Sequence, residues 1–183
     1  MFRRKHKLAP PLSPLLQEQL ATIEPSVCGR LKYFPCSVTV KDGTSHKRVY
    51  VVSQAAYIRV WGVYPEDDRF KKSISVSDVV SLCESPSRLP GVFASRLYSA
   101  GESNMGGHVF TIVFSDSSRQ AYSTGGAIDF IDYPDGKGAA DVVDVLPHVG
   151  GDAKPRGGLP FYWCLHADDE TLRALPTGLL EPR

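Results

Sequence analysis

Seven consecutive residues, His108 to Phe114 (HVFTIVF), limit what this chain can become more than any other stretch. Drawn out as a strand, they place Phe110, Ile112 and Phe114 on one face and Val109, Thr111 and Val113 on the other. A strand apolar on both faces has no side to give to water, so it belongs inside a sheet and not at its edge. The polar turn SDSS follows, and RQAYST from Arg119 to Thr124 reads as the return strand. A glycine pair, AIDFIDYP, DGKG and AADVVDVLPHV then carry the unit to Val149.

A fainter version of the same order lies between Val38 and Leu82. VTVKDGTSHKRVYVV matches FTIVFSDSSRQAYST as strand, Asp-containing turn and return strand. VWGVYPED matches DFIDYPDG through a Tyr-Pro pair with acidic neighbours, and Asp78-Val79-Val80 matches Asp141-Val142-Val143. The spacing differs, with Tyr64 and Asp78 lying 14 residues apart and Tyr133 and Asp141 only 8. The order suggests an internal duplication of one β unit. Each copy would be a small, bent antiparallel sheet resembling an SH3-type barrel in architecture, with a helix before it, a likeness that carries no function.

The other elements attach to these two units. Ser13 followed by Pro14 is a helix start, because a hydroxyl caps the first turn and proline at the first position loses no hydrogen bond. Leu16, Leu20 and Ile23 share one face of that helix, which runs toward Pro25. Leu89, Phe93, Leu97 and Ala100 recur at helical spacing before Gly101, a C-cap residue. Tyr57 to Val63 (YIRVWGV) reads as a strand because β-branched and aromatic residues dominate it. Residues 124–133 admit a second reading, a helix capped by Thr124 with Ile128 and Ile131 on one face. FYWCLH, Phe161 to His166, is too apolar for solvent and is expected as a last strand, with a short helix after Asp168 or Asp169.

The expected organisation is a basic arm at 1–12, a helix with the first β unit at 13–86, a helix with the second at 87–149, and a linker, docked strand and helix at 150–183. The alternative is that all of these form one compact domain. The fold class expected is α+β and β-rich.

Length and composition narrow the functional classes. At 183 residues the chain buries roughly 70% of its unfolded surface, so it needs no staple. A net charge of +1 gives no reason to expect nucleic acid or membrane as an obligatory partner. Cys28, Cys36, Cys83 and Cys164 show no zinc-ligand spacing and read as small hydrophobes in a reducing compartment, with a Cys28–Cys36 disulfide as the minor alternative. No apolar run is long enough to cross a bilayer, and prolines 10, 11 and 14 interrupt the apolar part of the basic N-terminus, so a signal peptide is not expected. The expected location is cytoplasmic.

Three residue sets could carry chemistry. On a strand, Tyr57, Arg59 and Trp61 would line one face and present a guanidinium between aromatic rings, a surface that receives a partner's side chains or stacks on bases. Its bland alternative is a packing ladder. Asp129, Asp132 and Asp135 precede Gly136 but lack calcium-loop spacing and read as solvated loop carboxylates or caps. His108, Arg119 and Tyr122 would serve a small hydrolase or ligand-binding site only if they converged on one pocket. No GxSxG, HExxH, P-loop or strand-preceded GxGxxG occurs. The reading is therefore a non-catalytic module that binds protein, with no catalytic, cofactor or metal residues assigned. Nucleic-acid binding through the basic arm, Arg48, Arg59 and the aromatics is the weaker alternative.

Overall fold

The computed structural model describes residues 8–150 and 155–169. Most of the basic arm and the closing helix expected after Asp169 lie outside the described residues. The first helix, α1 (Pro14–Ala21), forms as its start signals dictate: the Ser13 hydroxyl accepts the Leu16 N–H, Pro14 occupies the first turn, and Leu16 and Leu20 are buried. Strands β1 (Ser26–Cys28), β2 (Leu31–Val40) and β3 (Ser45–Ser53) follow, then helix α2 (Gln54–Trp61) and strand β4 (Val79–Glu84). The second half runs through helix α3 (Gly91–Ala100) and strands β5 (His108–Phe114), β6 (Arg119–Thr124) and β7 (Val142–Pro147). Two C-terminal strands, β8 (Arg156–Gly157) and β9 (Tyr162–His166), complete it.

The class is α+β and β-rich, with two sheets that share one plan. In the first, β2 is central, with β3 antiparallel on one side and β1 and β4 antiparallel on the other, and β9 adds parallel to β3. In the second, β5 is central between β6 and β7, both antiparallel, and β8 adds parallel to β6. The doubly apolar HVFTIVF segment thus sits inside its sheet. The sheets are mixed and not purely antiparallel, because residues 156–166 return alongside the second strand of each hairpin in turn. Neither sheet closes into a barrel, so the likeness to SH3-type units is not carried further.

The correspondence extends to single hydrogen bonds. At the hairpin tips Asp42 accepts the Thr44 N–H and Asp116 the Ser118 N–H, at 2.8 and 3.0 Å. This pairs Asp42 with Asp116, two residues away from the gap-free match of the two strings. The Lys41 N–H donates to the Asp78 carbonyl and the Ser115 N–H to the Asp141 carbonyl, at 2.9 and 2.8 Å. After each Tyr-Pro pair the chain turns alike, with Asp68 N–H donating to Pro65 O and Lys137 N–H to Pro134 O. The preceding helices repeat a contact too. Gln19, sixth in α1, accepts the Leu82 N–H, and Arg96, sixth in α3, donates to the Val145 carbonyl; Leu82 and Val145 are each the fourth residue of their strand.

Two apolar cores result. The larger joins both sheets, with Tyr33, Tyr50 and Trp163 from the first meeting Phe110, Ile112, Phe114 and Tyr122 from the second, closed by Leu97 and Tyr98 of α3. The smaller lies between α1 and the other face of the first sheet, around Leu16, Leu20, Val38, Val49 and Cys164. All four cysteines are free, so the alternative Cys28–Cys36 disulfide does not form. No helix among the described residues is long and apolar enough to cross a membrane.

Two local readings are corrected. Residues 54–61 are helical and not a strand: the Ser53 hydroxyl caps the first turn through the Ala56 N–H, and Gly62, at φ 68°, ends the helix in the left-handed conformation that favours glycine. The caps and the burial of Ala56 and Tyr57 outweigh the β preference of the side chains. Residues 124–133, for which a helix is the second reading, are not helical. They lie against the segment that leads into α3, where Leu89 N–H reaches Asp129 O and Ile131 N–H reaches Ser87 O.

Candidate functional site

A cleft of about 500 Å³ opens where the two sheets meet. One wall is aromatic, made by Trp61 at the end of α2 and by Phe161 and Trp163 of the C-terminal segment. The other is largely backbone, from Gly125 and Gly126 after β6 and Gly157 and Gly158 at β8. The glycine wall packs closely at Gly126, where an added Cβ would come to 3.0 Å from the Trp61 ring and the ring would have to give way by a few tenths of an ångström. Both tryptophans of the sequence therefore line this cleft.

Phe70, Lys71 and Lys72 form the rim. Phe70 is 96% exposed, an aromatic side chain with almost nothing of the described chain over it. The Lys71 ammonium stands 4.1 Å from the Trp61 ring centroid and 5.3 Å from that of Tyr57, and 3.6 Å from Asp68. Burial lowers the Lys71 pKa, and Asp68 works against that shift. Lys72 lies over Tyr162 at 5.9 Å. A second depression of about 250 Å³ shares Pro160 with the cleft and is lined by His46, Lys47, Arg48 and Tyr162. Arg48 is held there by donating to the Pro160 carbonyl at 2.7 Å.

The helical geometry of α2 divides the trio Tyr57, Arg59 and Trp61. Residues two apart on a helix point to different sides, whereas residues four apart share one. Tyr57 is fully buried in the larger core, Arg59 is exposed, and Trp61 is half-buried at the cleft. The expected shared surface of the three does not form. The Tyr57 hydroxyl and the Trp61 indole N–H are buried without a hydrogen-bond partner among the described residues. The indole N–H lies near enough to Tyr33 to favour its ionised form but outside good hydrogen-bond geometry. Trp61 thus turns its polar edge to the core and its six-membered ring toward Gly126.

Of the three carboxylates, Asp129 falls differently from expectation. Asp129 is not solvated but fully buried at the junction of the two sheets. Its Oδ2 accepts from the hydroxyls of Tyr50 and Tyr98 at 3.0 and 2.7 Å, and its Oδ1 accepts from the Ser26 hydroxyl. Arg88, 2% exposed, stands behind Ser26 and binds the Glu24 and Leu89 carbonyls and Glu84. Burial raises the Asp129 pKa, opposed by the three hydroxyls and the Arg88 charge. Asp132 pairs with Arg156 at 3.1 Å, and Asp135 is exposed. No cluster of three metal-binding side chains occurs among the described residues.

His108, Arg119 and Tyr122 do not converge. His108 pairs with Thr124 at one end of the β5–β6 hairpin and Arg119 with Val113 at the other, on the opposite face, a separation of roughly 17 Å at the usual strand rise. Tyr122 is buried and donates to the Asp132 carbonyl.

The cleft does not stand out in the sequence, because its walls come from four separate segments. One signal is present: Phe70 stands in a charged loop that supplies no apolar periodicity to bury it. No protein-family model matches this chain, and no curated protein or solved structure matches it.

Proposed function

We propose that this chain is a non-catalytic binding module that engages a protein partner through the cleft between Trp61, Phe161, Trp163 and the glycine wall. The observation that carries the reading is Phe70, an almost fully exposed aromatic ring on the rim of a concave, aromatic-lined site. Interface energy concentrates in a few aromatic and basic anchors beside such pockets. The buried carboxylate with the raised pKa, Asp129, is sealed in the core and is accounted for as a structural acceptor, so it does not lend the cleft an acid or base.

Selection of random peptides displayed on phage against the full chain tests this. The reading predicts peptide families that bind the wild type and are lost on a Phe70→Ala, Lys72→Glu double variant. Peptides that bind both proteins equally would place the recognition surface elsewhere and remove the reading.

A further inference from the structure

The two adjoining depressions around Pro160 are lined by four basic side chains, Lys47, Arg48, Lys71 and Lys72, and, among the described residues, by no aspartate or glutamate. The chain as a whole is nearly neutral, at +1. Asp68 pairs with Lys71 at 3.6 Å, so the excess of positive charge along this strip, beside its apolar walls, comes mainly from Lys47, Arg48 and Lys72.

We infer that the occupant of the cleft is an acidic, extended segment of a partner protein, with an apolar side chain seated against the aromatic wall and carboxylates facing Lys71, Lys72 and Arg48. The inference rests on the reading of the cleft as a binding site and adds the chemistry of what it takes. Charge complementarity along an interface selects among partners and rejects those of like sign. The cations are held in place before any ligand arrives, Arg48 by the Pro160 carbonyl, Lys71 by Asp68 and the Trp61 ring, and Lys72 over Tyr162. A donor already positioned loses less freedom on binding.

A single-stranded nucleic acid would also be drawn to cations and aromatics, but it needs open ring faces on which bases can stack. Here Lys71 covers one face of Trp61 and Lys72 stands over Tyr162, while Tyr57 is buried. Trp61 and Tyr162 are thus already used to place ammonium groups, and Phe70 is left as the exposed ring on the rim. Side-chain carboxylates, which need the ammonium groups and not the ring faces, fit the arrangement better.

Fluorescence anisotropy of labelled peptides with the full chain decides it. The probes are alternating Glu-Leu, Ser-Leu and Lys-Leu peptides and an oligothymidylate. The Glu-Leu peptide is expected to bind, to weaken as salt rises, and to lose about tenfold in affinity on Lys72→Glu. Phe70→Ala should weaken it without changing the salt dependence. Both variants alter rim positions and leave the core intact. Equal binding of Ser-Leu and Glu-Leu peptides would overturn the acidic assignment while leaving the cleft a binding site. Tighter binding of oligothymidylate, sensitive to the same variants, would overturn it in favour of a polynucleotide. Absence of Glu-Leu binding would overturn it as well, and the phage-selected peptides would then decide separately whether the cleft binds anything.

Discussion

Tyr50 and Asp129 exchange two hydrogen bonds across the junction of the sheets: the phenol donates to Oδ2 at 3.0 Å and accepts the Asp129 N–H at 2.9 Å. Tyr98 repeats the arrangement one residue earlier, donating to the same oxygen and accepting the Ile128 N–H at 3.2 Å. Each hydroxyl thus satisfies a backbone N–H and the carboxyl group together, which is how an aspartate side chain and the non-helical 127–131 segment can both be buried. Tyr50 belongs to the first sheet and Tyr98 to the second unit's helix, so Asp129 ties the two.

Removal of the acceptor leaves the hydroxyls of Ser26, Tyr50 and Tyr98 buried without the carboxylate they donate to, while Arg88 keeps its pair with Glu84. Asp129→Ala is expected to destabilise the chain by about 3–5 kcal/mol in urea unfolding, against about 1–2 kcal/mol for Tyr98→Phe. A loss under about 1 kcal/mol for Asp129→Ala would mean the network contributes little.

The same carboxylate predicts a pH signature. A folded-state pKa raised above the unfolded one means that this group's contribution is fully present at low pH and is lost as pH rises through the folded value. The side-chain amide of an Asp129→Asn variant has no such proton to lose. The stability of wild type relative to that variant should therefore fall as pH rises above the ordinary carboxylate range. Asp42, Asp116 and Asp144, whose pKa values are lowered by hydrogen bonds, have the opposite dependence but are common to both proteins and cancel in the difference. A flat difference from acid to neutral pH would contradict the assignment.

How little of this network is legible in the sequence follows from distance along the chain. Asp129 looks like a loop carboxylate because the hydroxyls it binds are 31, 79 and 103 residues away, beyond any local pattern. The two hairpins, the Asp-Val-Val returns and both outer helices, by contrast, are readable from caps, turns and periodicity. Helix α2 escapes a reading by composition because its β-branched and aromatic content hides Ser53 and Gly62, the two caps that define it. The same error misplaces the binding surface: period two puts Tyr57, Arg59 and Trp61 together, and the real period splits them.

Arg96 closes the outer edge of β7. It pairs with Asp144 at 2.7 Å while donating to the Val145 carbonyl, and Asp144 accepts the Val145 N–H, so both edge groups of that residue are taken. Exposed strand edges recruit further strands. Arg96→Ala is expected to cost no more than about 1 kcal/mol of stability, since the pair is solvent-exposed, yet to produce dimers or larger species in sedimentation velocity. A variant that sediments as the wild type does at high concentration would remove this role.

The C-terminal segment stitches the two sheets by adding β8 to one and β9 to the other. Trp163 is its anchor, packed against Tyr33, Tyr50, Tyr57, Trp61 and Phe161. Trp163→Ala should cost about 3–5 kcal/mol. Hydrogen exchange should then speed up in β3, which pairs directly with β9, more than in β7. Uniform exchange across both sheets would show that the segment does not act through its strand pairing.

The most direct test of the cleft uses its own tryptophans. Because Trp61 and Trp163 are the only two in the sequence and both line the cleft, a ligand seated there meets every tryptophan of the chain. Titration with the alternating Glu-Leu peptide should shift the emission in a saturable way, with the same midpoint as the anisotropy curve, and the shift should vanish in the Phe70→Ala, Lys72→Glu variant. Saturable anisotropy with unchanged tryptophan emission would contradict the account, because the peptide would then be bound somewhere else.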